Sequence, residues 1–192
     1  MFRFVILLAA LLPSTFANPI ASCDKLEAVL AQEIKTFSRQ AIQEGVQLLQ
    51  RLLKEAELLG PNTADRAAMD KLAKFIENSK NADDSEELED LLYELEDLLV
   101  LGDFSAEETD EMDEDLITKL LRQLGFDMFE QNLEKKLAIF MKRTESHIES
   151  YLMREKGFRD SKMTTWFIKF QNETDIEKKL FMLDDLFENF DC

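Results

Sequence analysis

The side chains able to carry acid–base, nucleophilic or metal chemistry are either scarce or undiscriminating. There is one histidine and there are two cysteines. His147 stands between Glu145 and Glu149. A zinc centre would want several His or Cys ligands at helical spacing, and these are absent. Packing or surface exposure is the expected role of His147. No G-x-S-x-G or Walker sequence is present, and no G-x-G-x-x-G follows a strand. Carboxylate pairs occur wherever an acid-rich helix does, so they single out no general acid and base. The expectation is a protein that is not an enzyme, with no catalytic residue, no metal and no cofactor.

The cysteines read differently once the N-terminus is considered. Arg3 precedes the apolar run Phe4 to Leu12, Pro13 breaks it, and Thr15-Phe16-Ala17 offers small residues at −3 and −1. These are the parts of a secretory signal peptide over residues 1–17. The run is too short to span a bilayer. Cleavage after Ala17 leaves a secreted domain over 18–192, starting at Asn18. No later segment approaches eighteen apolar residues in a row, so no membrane span is expected. In an oxidising compartment, Cys23 and Cys192 are expected to bridge and tie the two ends together. Loop entropy gives such a bond roughly 5 kcal/mol as an upper figure. Pairing between two chains is the alternative. Export also gives meaning to Asn172-Glu173-Thr174, an N-glycosylation acceptor between two expected helices.

Charge is the third feature. The formal net charge is −17 and the pI is near 4.5. Phosphate would be repelled, which excludes nucleic acid as a partner. Residues 77–115 hold 18 Asp and Glu against one Lys, while the rest of the mature chain holds 22 acids and 21 bases. This stretch reads as a solvated helix face or as a docking surface for a cationic protein. Asp110-Glu111-Met112-Asp113-Glu114-Asp115 is dense enough in oxygen for calcium. Met112 at the third position and the missing Gly break the EF-hand pattern.

These features need elements to hold them, and the period of the apolar residues is helical throughout. Apolar steps run through Leu26, Val29, Leu30, Ile34, Phe37, Val46, Leu49, Leu52 and Leu53. One helix from Asp24 to Leu59 would be about 54 Å long, against a radius of gyration of about 16 Å for a compact domain. A break or kink is therefore expected around Gly45. Gly60-Pro61 stops the segment. Asn62 can cap a second helix with Ala64, Ala68, Leu72, Phe75 and Ile76 on its apolar face. Capping boxes are expected at Asp84/Glu87, Ser105/Glu108 and Thr174/Glu177. Gly125 ends one helix, and a long one follows from Phe126 to about Met153. Asp160 or Ser161 caps a short helix, and the last helix steps through Ile176, Leu180, Leu183, Phe187 and Phe190.

The expected fold is all-α: a single-domain helical bundle of six to eight amphipathic helices, chain ends tied by one disulfide. A monomer is expected. Two functions fit. The first is a secreted carrier of an apolar, lipid-like small molecule. Its pocket would be lined by Phe140, Trp166, Phe167, Phe170 and Phe187, because bundles place ligand sites between helices. The second is a secreted protein–protein module, cytokine-like or structural, using the acidic face. The chain is similar in general character to exported helical lipid carriers and to helical-bundle signalling proteins. A carrier needs an internal cavity, whereas a module needs an exposed patch over a solid core.

Overall fold

A computed structural model describes residues 23–61, 63–100, 116–154 and 161–189. They form seven helices: α1 (Cys23–Leu58), α2 (Thr63–Asn78), α3 (Ser85–Val100), α4 (Leu116–Gln123), α5 (Phe126–Arg154), α6 (Ser161–Asn172) and α7 (Ile176–Asn189). No strand occurs among the described residues, and the all-α bundle follows from the 3.6-residue stripes. Helix α1 is the spine, packing against α2, α3, α4 and α5. Leu30, Ile34, Leu48, Leu49 and Leu52 are its most deeply buried large aliphatics. Burying each such side chain contributes about 1.5–3 kcal/mol. One contiguous core gathers buried residues from all seven helices.

The expected break at Gly45 does not occur, and α1 runs unbroken for 36 residues. Gly45 serves a helix crossing instead. A Cβ built there would lie 2.7 Å from both Leu95 Cδ atoms of α3. The missing side chain lets Leu95 pack directly on the α1 backbone. Val29 also departs from its expected core position and is 38% exposed. On α2 the buried stripe is Asp65, Met69, Leu72, Phe75 and Ile76, while Ala68 is half-buried and the Ala64 side chain lies outside the described residues. Asn62, Asp160, Ser105 and Glu108 lie outside the described residues.

The stops read well. Gly60 has φ +69°, the left-handed conformation that closes a helix with no Cβ penalty. Gly125 has φ +90°, and its N–H donates to the Arg122 carbonyl at 3.2 Å while its own carbonyl accepts from Met128 and Phe129. That single residue turns the chain from α4 into α5. At the start of α3, the Glu87 N–H donates to Asp84 Oδ1 at 2.8 Å, and the Asp83 N–H donates to the Glu87 carboxylate at 3.1 Å. This is the expected box, with the return bond displaced by one residue. The box expected at Thr174 is shifted too. Asp175 caps α7, accepting from the Lys178 N–H at 3.3 Å, and Glu173 Oε1 accepts from the N–H groups of Thr174 and Asp175. A carboxylate one residue closer to Ile176 displaces the hydroxyl as cap.

Candidate functional site

The aromatic residues expected around a pocket are placed in two groups. Trp166 and Phe170, one turn apart on α6, stack at 5.1 Å with an interplanar angle of 12°. Phe170 is fully buried, and Phe167 is buried in the same core. The Lys179 ammonium of α7 lies 5.2 Å from the Phe170 ring centroid and pairs with Glu145 of α5 at 2.5 Å. Phe140, on α5, packs its ring against Phe37 of α1 at 5.7 Å. The Phe187 side chain lies outside the described residues, as do the Cys23 side chain and Cys192. Asn172 ends α6 rather than sitting in a loop. It is exposed, and its Nδ2 donates to the Ile168 carbonyl at 2.8 Å.

Two surfaces have the makings of a site. The first is the outer face of α3. Glu87, Asp90, Glu94 and Asp97 follow each other at spacings of three and four, which places them in one stripe, with Asp83 just ahead of the helix. All but the half-buried Glu94 are exposed. The opposite face is a packed core of Leu88, Leu92, Leu95 and Leu99. Burial is the main reason the neighbouring Glu89 carboxyl sits above its usual range, and the charges of Asp90 and Glu86 add to it. Burial, then Glu89 and Glu96, push the Tyr93 phenol up in the same way. At the near end of the stripe Arg39 of α1 pairs with Asp83, and Lys80 pairs with Glu77. Residues 101–115, with the carboxylate run once weighed for calcium, lie outside the described residues. Among the described residues, no three His, Cys, Asp or Glu side chains are grouped to hold a metal.

The second surface is the antiparallel seam between α1 and α5. Glu33 faces both Arg143, at 3.5 Å, and His147 Nε2, at 3.4 Å. Further along, Lys136 pairs with Glu44 at 3.2 Å. Between these pairs lies an open groove of about 140 Å³, whose lining includes Glu33, Phe37, Lys136, Ile139, Phe140 and Arg143. Ser38 Oγ and Thr144 Oγ1 are buried on the same two helices, with no hydrogen-bond partner among the described residues. Sequence reasoning missed this seam. Its partners are about ninety or more positions apart, and helical periodicity carries no signal of which stripe meets which.

Among the described residues, no helix is long and apolar enough to cross a membrane. No protein-family model, curated protein sequence or solved structure matches the chain, so the geometry alone carries the functional reading.

Proposed function

We propose that this chain is an exported, non-catalytic helical binding protein that docks a cationic protein surface on the acidic outer face of α3. The observation that carries this reading is the stripe from Glu87 to Asp97 on a helix whose leucines are buried in the core. Aligned carboxylates steer a basic partner and fix its register, and they do so more strongly at low salt. The carrier reading draws no support from the α1–α5 groove, whose volume of about 140 Å³ is below the roughly 300 Å³ that a drug-sized ligand wants. Trp166 and Phe170 fill space against each other. Export rests on the tripartite segment 1–17. The Cys23–Cys192 bridge, a glycan on Asn172 and a monomeric state belong to the same proposal.

Carboxylate-directed cross-linking of the protein in its own extracellular fluid tests the docking surface. Cross-links should run from α3 carboxylates to a partner's basic residues. They should weaken with added salt and vanish in an Asp90→Asn, Glu94→Gln, Asp97→Asn variant, which leaves the Glu87 capping contacts in place. A tightly held acyl-chain molecule in native mass spectrometry, with no α3-dependent partner, would overturn the reading in favour of the carrier.

A further inference from the structure

Helix α5 has a second face, opposite the stripe it buries. Met128, Ile139 and Met153 are large apolar side chains, 57%, 53% and 65% exposed. Their positions along the helix bring them within about 40° of one another, at about 100° per residue. Asn132, Lys135, Lys142, Ser146 and Ser150 fall on the same face, and all are exposed. The result is a ridge about 38 Å long at 1.5 Å per residue, with two cations, no carboxylate and Glu149 at its edge. Among the described residues neither Lys135 nor Lys142 has an ion-pair partner.

The α3 stripe complements this ridge in sign and in spacing. Lys135 and Lys142 are two helical turns apart, and so are Asp90 and Asp97. Both aspartates are exposed and, like the lysines, without an ion-pair partner among the described residues. When the stripe is laid antiparallel on such a ridge, Lys135 meets Asp97, Lys142 meets Asp90, and Ile139 falls opposite Tyr93. Tyr93 is half-buried and borders the stripe, so its ring gives Ile139 an apolar contact. The parallel alignment sets Ile139 against Glu94 instead.

We propose that the α3 stripe docks antiparallel on the α5 ridge of a second copy of this chain, with Lys135 on Asp97 and Lys142 on Asp90. This rests on the α3 docking face and names the cationic surface that it takes. The net charge of −17 does not forbid contact between copies, because charges beyond about 8 Å are screened at physiological salt. One helix laid on another covers less than the standard interface of about 1,600 Å², so the pairing is weak, with a Kd on the order of 0.1 mM. The monomer is therefore the dilute form.

The test is sedimentation velocity of the mature protein from about 10 μM to about 1 mM, a range that brackets this Kd. The parent should be monomeric at the bottom of the range and associated at the top. Salt at about 1 M, where the screening length is about 3 Å, should disperse it. Two charge reversals divide the contact: Lys135→Glu with Lys142→Glu, and Asp90→Lys with Asp97→Lys. Either one alone sets like charges against each other and should weaken association at least about tenfold. Mixing the two variants restores opposite charges, so the mixture should associate about as the parent does. All four positions are exposed, so both variants should keep the parent's circular dichroism spectrum. A parent that stays monomeric at the top of the range, association that survives either reversal, or a mixture that associates no better than its components would each overturn the proposal. If the parent stays monomeric while α3-dependent cross-links to another protein persist, the α3 face stands and this partner alone is refuted.

Discussion

Replacing Gly45 with alanine sets two effects of known size against each other. In an exposed helix interior the change gains about 1 kcal/mol of helix propensity. At this site the new Cβ meets both Leu95 methyl carbons at 2.7 Å and Leu95 Cγ at 3.3 Å. Leu95 is 1% exposed, so its methyl groups must shift against the packed core around them. Overpacking of this kind costs about 1–3 kcal/mol. The expected balance is a loss of about 1 kcal/mol, or roughly 3 °C in Tm for a chain of this length. Leu95→Ala alone should cost about 2–5 kcal/mol. In that background the obstruction is gone, and Gly45→Ala should become stabilising by about 1 kcal/mol. The two sites should therefore show a coupling of about 2 kcal/mol in a double-mutant cycle. Urea denaturation of the four proteins measures it, provided the m-values agree. A Gly45→Ala variant that gains the same stability in both backgrounds would refute the close crossing of α1 and α3.

Other outcomes follow from particular contacts. Asp84→Ala should cost about 1 kcal/mol by removing the α3 cap, seen as a lower urea midpoint. Ser38→Ala should raise stability by about 1 kcal/mol, because a buried hydroxyl without a partner is replaced by a better helix former; a loss of that size would mean the hydroxyl has a partner after all. Burial, reinforced by Asp90 and Glu86, raises the Glu89 carboxyl above 4.5, so the native state takes up its proton before the unfolded chain does. That group adds stability as pH falls from neutral towards 4.5 and loses the gain as pH rises. Tm between pH 7 and about pH 5 should rise less steeply in Glu89→Gln than in the parent, and added salt should also raise the parent's Tm. Non-reducing peptide mapping of the secreted protein should give one Cys23–Cys192 linked peptide, and two free thiols would refute the bridge. Enzymatic deglycosylation should lower the mass of the same material by one glycan at Asn172.

The stripes were readable in the sequence because burial demands them locally. Leu180 and Leu183 are buried where the spacing of α7 puts them, and Gly60 and Gly125 adopt the positive φ that their stops require. What could not be read depends on a second element. Gly45 is a break by propensity and a crossing by packing, and only the position of Leu95 decides between them. Thr174 and Asp175 are both good caps, and one residue of helix length chooses the carboxylate. The Glu33–Arg143–His147 cluster joins charges that look solvated on separate helices. The acidic stripe was visible as composition, but its alignment along one face of α3 needed the helix phase.

The central place of α1 also sets a timetable for folding. It is the first of the described helices to leave the ribosome, yet its main partner, α5, is completed about a hundred residues later. At roughly 5–20 residues per second that delay is on the order of ten seconds. Until then α1 has no way to cover the side chains it buries against α5, Phe37 among them. The same delay leaves those side chains open to chaperones, so slowing synthesis between residues 59 and 125 should lengthen the aggregation-prone interval rather than help folding.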